Sequence, residues 1–455
     1  MMRAAQAVRP LLRISFAAAF AAAAWLLVRG SPLPARVLIG LQPLNLLVAL
    51  RAGPESIHLA AFGLIILTAV FGRLWCGFAC PLGAAQDAFA ALKSLLLRRG
   101  RARAPRRVAL GRGPQYVRYG VLAFLLLLLA LGFNVVGLLE PNTMTLRAAL
   151  AAASRLSPPE GRAPPVPLPP LVVFAAVAAL ALVRPRLFCR YVCPSGAVLS
   201  LLSLRAPFRV RVAENCRNCG ACSAVCPTAA VGTGGTVSQD ACVVCLRCVA
   251  ACGPGALRYG PGASGRMVSP VTIKERRRFV LVVAAAAAAA VLGRLLLPRS
   301  AVGGLRPPGA IDDFAAACNR CMACVAVCPN DFVRPGASLL PTLDSPRSYC
   351  EYRCLECGRV CPTGAIRFGT VAEKWRRPQA LAVIDRSRCY VYSGVGPCMG
   401  CQEVCPAEPE NAVVGVELER GGETMEAPRI AADRCVGCGT CATNCPAGAI
   451  RLVPR

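Results

Sequence analysis

The spacing of its cysteines constrains this chain more than any other feature. There are 28 cysteines among 455 residues, and 24 of them fall into six compact groups of four. Disulfides would give irregular spacing, and zinc ribbons use two C-x₂-C pairs separated by a dozen or more residues. The repeat C-x₂-C-x₂-C-x₃-C is instead typical of a loop wrapped around a [4Fe–4S] cubane. The sequence therefore predicts about six [4Fe–4S] clusters.

The first two groups follow this repeat without insertions. Three cysteines of such a group bind one cluster, and the fourth reaches the cluster of the neighbouring group. One predicted ligand set is therefore Cys216, Cys219, Cys222 and Cys252. The other is Cys242, Cys245, Cys248 and Cys226.

Four more groups occur near the C-terminus, and the inner two carry extra residues in the ligand loop. The groups are Cys318, Cys321, Cys324 and Cys328; Cys350, Cys354, Cys357 and Cys361; Cys389, Cys398, Cys401 and Cys405; and Cys435, Cys438, Cys441 and Cys445. Two pairings are possible: groups one with two and three with four, or one with four and two with three. The irregular inner groups and regular outer groups modestly favour the second pairing.

The remaining four cysteines lie in two half-length motifs, "LWCGFACPLG" from residue 74 and "LFCRYVCPSG" from residue 187. These are Cys76, Cys80, Cys189 and Cys193. Both motifs end an apolar segment, so we expect the four thiols at one depth. They are either buried and unliganded, or they bind a shared metal or cluster, or they form a redox thiol pair.

Composition indicates a membrane protein with attached domains, because 55% of the residues are hydrophobic and only 16% are charged. About 20 apolar residues span a bilayer as a helix. Five candidate spans fit that length: 11–28, 57–75, 117–139, 170–188 and 279–297. The predicted fold is an α-helical transmembrane bundle of about five spans, with α+β ferredoxin-like [4Fe–4S] domains.

The predicted domains are a four-span transmembrane region (1–204), a two-cluster ferredoxin domain (205–270), a basic flank with the fifth span (271–300) and a four-cluster ferredoxin domain (301–455). Residues 306–455 hold 17 Lys and Arg against 16 Asp and Glu, so +28 of the net charge of +29 lies before them. Basic residues concentrate in loop 76–116, and cytoplasmic loops collect Lys and Arg. This predicts an inner-membrane protein with a cytoplasmic first ferredoxin domain and a periplasmic C-terminal domain.

Several other cofactors and partners find no support in the sequence. The single histidine, His58, and the absence of C-x₂-C-H argue against haem, and no dinucleotide fingerprint or P-loop indicates flavin, nicotinamide or ATP. The basic residues lie beside apolar segments, which favours membrane topology over nucleic-acid binding. The chain is therefore expected to handle electrons through clusters alone.

Together these motifs resemble two known proteins joined in one chain. Residues 1–270 resemble the NapH-type membrane subunit of quinol dehydrogenases that serve periplasmic nitrate reductases. Residues 275–455, which contain "RRRF" at 276–279 and then "RPPGAIDDFAAACNRCMACVAVCP", resemble the exported NapG-type four-cluster ferredoxin. The resemblance implies quinol as electron donor and a periplasmic cytochrome or reductase as acceptor.

Quinol oxidation releases protons, so a quinol site needs a hydrogen-bonding base near a lipid-accessible cleft. Glu55 and His58 lie at the predicted outer end of the second span, and Glu140 lies at that of the third. The alternative, which we favour, is that all three are interfacial polar residues. A different function is also open, in which the protein supplies electrons only for maturation or regulation of a periplasmic metalloenzyme.

Overall fold

A computed structural model describes residues 58–99, 116–156, 165–261 except 233–235 and 254, and 304–455 except 337, 338 and 421, with short stretches between 14 and 45 and single residues at 281, 284 and 288. These residues form a helical region (58–204), a first ferredoxin domain (205–261) and a C-terminal domain (304–455). Glu55, most of the fifth predicted span and the "RRRF" segment lie outside the described residues.

The helical region consists of short helices separated by turns. They are α1 (His58–Phe71), α2 (Leu74–Phe78), α3 (Pro81–Arg99), α4 (Val117–Ala130), α5 (Val136–Leu139), α6 (Pro141–Leu156), α7 (Pro169–Ala179), α8 (Leu187–Tyr191) and α9 (Pro194–Ser203), with a 3₁₀ turn at Leu180–Leu182. Four of them begin with proline, whose fixed φ suits the first helical position.

The predicted second, third and fourth spans are each shorter as helices than the sequence indicated. Helix α1 ends before Gly72, which has a φ of +69°, and α4 ends before Gly132, which has a φ of +91°. The fourth predicted span consists of α7, the 3₁₀ turn and a segment that includes Pro185, and proline cannot continue a helix. No helix among the described residues combines the length and the apolar character that a membrane crossing requires. Prediction of 19–23-residue helices at these places was wrong, because left-handed glycines and a proline interrupt the apolar runs.

The first ferredoxin domain is small. Its elements are β1 (Arg209–Val212), α10 (Ala221–Val225), α11 (Arg247–Ala250) and β2 (Leu257–Gly260). The two strands pair antiparallel, with Arg209 opposite Gly260, and the two helices pack against each other. Each helix carries one cysteine of its group, Cys222 in α10 and Cys248 in α11, so their packing brings the two ligand loops together.

The C-terminal domain joins short helices to three two-stranded antiparallel sheets. Its elements are α12 (Phe314–Ala317), α13 (Ala323–Ala326), β3 (Val333–Pro335), β4 (Pro341–Leu343), α14 (Glu356–Val360), α15 (Val371–Trp375), β5 (Ala380–Ile384), α16 (Tyr390–Ser393), α17 (Gly400–Glu403), β6 (Val413–Arg420), β7 (Glu423–Ile430), α18 (Thr440–Thr443) and β8 (Ile450–Pro454). The pairs are β3 with β4, β5 with β8, and β6 with β7. Helix α13 packs on α14, and α17 packs on α18.

Both ferredoxin domains share apolar cores with the helical region. Leu146 and Leu150 of α6 are buried in one core with Phe314 and Val325 of the C-terminal domain. Leu74 and Phe78 of α2 pack against the core of the first ferredoxin domain. The helical region therefore contacts both domains, through different elements.

Candidate iron–sulfur sites

The structure brings together the first and second cysteine groups of the C-terminal domain. The thiols of Cys318, Cys321 and Cys324 are close enough to interact electrostatically with Cys361, the last cysteine of the second group. Reciprocally, Cys328 closes the first group but interacts with the cysteines of the second, which are Cys350, Cys354 and Cys357. The arrangement is that of two cubane sites which exchange their fourth ligand.

The third and fourth groups are paired in the same way. One cavity is lined by Cys389, Cys398 and Cys401 together with Cys445. A second cavity is lined by Cys435, Cys438 and Cys441 together with Cys405. Each cavity thus takes three cysteines from one group and the last cysteine from the other.

This pairing differs from the one that the sequence favoured, which joined group one to group four and group two to group three. The observed pairing follows from local packing, because α13 contacts α14 and α17 contacts α18. Insertions in the inner two loops do not affect this contact, so loop regularity was a poor guide to pairing.

In the first ferredoxin domain, Cys226 lies near Cys242, Cys245 and Cys248, as the spacing predicts for one ligand set. Cys222 interacts with Cys216 and Cys219. The side chain of Cys252, predicted as the fourth member of that set, accepts a hydrogen bond from the amide of Ala256 at 3.2 Å.

Burial and amide hydrogen bonds have opposite effects on the pKa of the thiols in the C-terminal domain. Burial raises the pKa of Cys318 to about 12 and that of Cys321 to about 12. The amide of Arg320 donates to the sulfur of Cys318 at 3.4 Å, and this donation lowers the pKa. Iron must therefore displace protons from these thiols, so cluster loading is expected to improve as pH rises.

The alternatives to clusters are not supported by the geometry. All 28 cysteines are free thiols. Within the described ranges, no set of three or more Cys, His, Asp or Glu side chains is arranged to hold a single metal ion. Cubane ligands bind different irons and so stand further apart than four ligands of one ion.

The two half-length motifs meet in the helical region. Cys76, Cys80, Cys189 and Cys193 line one cavity. The thiols are near enough to interact electrostatically with one another. The expectation that the four cysteines converge is met by this cavity.

A buried ion pair holds the two half-length motifs together. Arg186 precedes the second motif, and its guanidinium donates to both carboxylate oxygens of Asp87, at 3.2 and 3.1 Å. It also donates to the carbonyl oxygen of Cys76 at 2.7 Å, and the thiol of Cys189 donates to Gln86 at 3.3 Å. Sequence reasoning had no role for this pair. The sequence did contain a signal for it, because Asp87 and Arg186 are charged residues that lie close to the two motifs in otherwise apolar segments.

Of the three quinol-site candidates, Glu140 is the one whose side chain the structure describes. Glu140 is buried, and its carboxylate accepts hydrogen bonds from Ser195 and from the amides of Asn142 and Thr143, so it caps the N-terminus of α6. This is a structural role rather than that of an interfacial polar residue. His58 begins α1, and Glu55 lies outside the described residues.

Family comparisons agree with the cysteine geometry. A family described as "4Fe-4S binding domain" matches residues 54–103 and 166–211, which contain the two half-length motifs. Another family with the same description matches residues 427–450. A "4Fe-4S dicluster domain" family matches residues 238–332. No solved structure matches.

Curated relatives place the chain more narrowly. It is 32% identical over 164 residues to the "Methylamine utilization ferredoxin-type protein MauM" of Methylorubrum extorquens, which covers 33% of this chain and 73% of the relative. The chain belongs to the family of ferredoxin-type iron–sulfur proteins. Within that family it is also 32% identical to the "Ferredoxin-type protein NapG" of Escherichia coli, with 33% of this chain and 70% of the relative covered. The "Ferredoxin-type protein NapF" of the same species is 30% identical and is covered to 86%.

As a ferredoxin-type protein, the chain transfers electrons and carries [4Fe–4S] binding domains. Each relative matches about a third of the chain's length, and the four cysteines of the half-length motifs lie within residues that the "4Fe-4S binding domain" family matches.

Proposed function

We propose that this ferredoxin-type protein is a membrane-bound electron carrier that takes electrons from the quinol pool and passes them to a periplasmic redox enzyme or cytochrome. In this proposal a NapH-like membrane part is fused to a NapG-like ferredoxin part, and the six four-cysteine groups each supply the ligands of one [4Fe–4S] cluster. Quinol supplies pairs of electrons, and the clusters accept them one at a time.

The observation that carries the proposal is that both ferredoxin domains contact one helical region. Tyr259 of the first domain donates to the carbonyl oxygen of Phe71 at 2.8 Å, and Arg118 pairs with Asp240 at 2.9 Å. On the C-terminal side, the side-chain amide of Asn319 donates to Thr143 at 3.2 Å. Asp240 and Asn319 lie in loops that carry predicted cluster ligands, so a ligand loop of each domain contacts the helical region.

Membrane residence is supported by apolar side chains that the fold leaves uncovered. Ile66 of α1 is 62% exposed, and Val183, just beyond the 3₁₀ turn, is 69% exposed. Large apolar residues on three helices share this exposure: Phe62, Leu67, Leu92, Leu95, Leu96, Val172 and Val173. Contiguous exposed apolar surface is costly in water and favourable against lipid. This exposed apolar surface is what supports the proposed membrane position of the helical region.

Purified protein provides the test of the donor. Anaerobic addition of a reduced quinol should bleach the visible absorbance of the clusters, whereas the oxidised quinone should not. Addition of a reduced soluble ferredoxin in a parallel sample tests the reverse direction. Bleaching by ferredoxin but not by quinol would contradict the proposed donor.

A further inference from the structure

We propose that Cys76, Cys80, Cys189 and Cys193 together hold a seventh [4Fe–4S] cluster, which carries electrons between the two ferredoxin domains. The relay role rests on the proposed function, whereas the presence of the cluster does not. Neither half-length motif has enough cysteines alone, so the site exists only because the fold joins segments that are more than a hundred residues apart.

The donor set fits a cubane. Four thiols surround one cavity, as they do at the sites lined by Cys389 and Cys435 in the C-terminal domain. The amide of Gly196 donates to the sulfur of Cys193 at 3.2 Å, which matches the amide donation from Ala449 to the sulfur of Cys445 at 3.4 Å. Such hydrogen bonds to ligand sulfur stabilise and tune iron–sulfur clusters.

Charge at the cavity favours an anionic occupant. A [4Fe–4S] cluster with four thiolates is negative overall, because the four ligand charges exceed that of the core. Arg73 lines the same cavity and is only 2% exposed. Its guanidinium donates to the carbonyl oxygens of Cys242 and Gly196, at 3.1 and 3.2 Å, and among the described residues no carboxylate pairs with it. A buried cation of this kind is stabilised by a nearby negative charge.

The cavity adjoins the ligand loop of the first ferredoxin domain. Val243, which follows the predicted ligand Cys242, lines the cavity itself. A Cβ atom on Gly77 would overlap the carbonyl oxygen of Val243, so the first half-length motif and this loop are in direct contact. Arg73 bridges them through its bond to Cys242.

The cavity also adjoins the C-terminal domain. Pro141 and Asn142 line it, and the next residue, Thr143, accepts a hydrogen bond from Asn319. Asn319 follows the predicted ligand Cys318, and Arg320 after it donates to the carbonyl oxygen of Asn134. The cavity therefore lies between a cluster loop of each domain.

This position defines the redox step. The seventh cluster would accept one electron from a reduced neighbouring cluster, which is thereby oxidised, and would then reduce the oxidised cluster on its other side. No bond is formed or broken, and no proton is transferred. The relay would connect the two domains without haem.

Native mass spectrometry of the anaerobically purified, reconstituted full chain tests the proposal directly. We expect a fully loaded state of seven clusters, or about 28 irons per chain. A maximum of six clusters, about 24 irons, would overturn the proposal. Alkylation of the four thiols in the loaded wild-type protein would do so as well, because cluster ligands are protected.

A variant links the seventh cluster to these cysteines. The double substitution C80A/C193A should lose about four irons and leave the EPR signals of the other clusters in place. C441A is the matched control, since it should also lose about four irons but from the C-terminal domain. Retention of all the iron in C80A/C193A would refute the site. If this variant misfolds and loses more than one cluster, the number of clusters in the wild-type protein decides whether a seventh cluster is present.

The relay role has a separate readout. Quinol should reduce the C-terminal clusters of the wild type, and this reduction should be lost in C80A/C193A, while dithionite still reduces them in both. Undiminished quinol reduction in the variant would overturn the relay. If quinol fails to reduce even the wild type, the proposed donor is wrong, and the cluster count is unaffected.

Discussion

Two glycines allow cluster loops of both ferredoxin domains to lie directly against the helical region. A Cβ atom at Gly77 would overlap the backbone at Val243, and one at Gly137 would overlap Asn319. Since a methyl group at either position meets backbone atoms that cannot rotate away, these glycines are required by close approach rather than by backbone conformation.

We predict that Gly77→Ala weakens the contact between the first ferredoxin domain and the helical region. Overpacking of this kind costs about 1–3 kcal/mol. Heating with detection of the cluster absorbance should show a lower midpoint. Gly63→Ala in helix α1 is the control, because a Cβ atom added there would meet no other atom within 4 Å, and it should stabilise by about 0.5–1 kcal/mol. Equal midpoints for the two variants would contradict the contact.

The buried ion pair between Asp87 and Arg186 makes a second prediction at this scale. The two side chains are 5% and 1% exposed, so Asp87→Asn leaves an uncompensated buried charge. The free energy of unfolding should fall by about 3–5 kcal/mol. Denaturant unfolding measures this loss.

The matched control for Asp87 is an exposed ion pair on the C-terminal domain. Arg353 and Glu408 lie 2.7 Å apart and are 74% and 60% exposed. Glu408→Gln should leave the free energy of unfolding nearly unchanged, because exposed pairs are solvated. A similar effect of both substitutions would show that the Asp87 pair does not hold the half-length motifs together.

At the scale of elements, the packing of short helices determines which cysteine groups share clusters. Helices α13 and α14 are in contact, as are α17 and α18, and each helix carries or adjoins ligands of its own group. Neighbouring groups along the chain are therefore partners. This arrangement is simple for the backbone, because the two groups of each pair are consecutive in sequence and the chain does not have to return to an earlier group.

Iron counts in double variants test this pairing. Cys318 and Cys361 lie at one site, so C318A/C361A should remove one cluster, or about four irons. C318A/C445A removes ligands from two sites and should cost about eight irons. If group one were paired with group four, the two results would be reversed.

At the scale of the whole molecule, the sequence predicts contacts set by local cysteine spacing better than contacts set by long-range packing. The ligand set of Cys226, Cys242, Cys245 and Cys248 was predictable, because short loops of fixed spacing close around one cubane. The contact between Asp87 and Arg186 was not, since it joins residues 99 positions apart. Helix ends were also missed, because Gly132 breaks an apolar run whose composition alone favours continuation.

The convergence of the half-length motifs is the clearest case of partial prediction. Their common depth followed from both motifs ending apolar segments, which is a local property. That Arg73 lies beside their thiols and contacts Cys242 depends on the docking of the first ferredoxin domain, which no spacing encodes. The whole molecule thus places a cysteine cavity between two cluster-bearing domains.

The proposed function requires that electrons from quinol reach the C-terminal clusters of this chain. EPR spectroscopy of the full chain, frozen after anaerobic addition of reduced quinol, tests this most directly, and the signal of the C-terminal cluster at Cys441 is identified by its loss in C441A. We predict that this signal appears with quinol as it does with dithionite. A signal that appears with dithionite but never with quinol would contradict the proposed function.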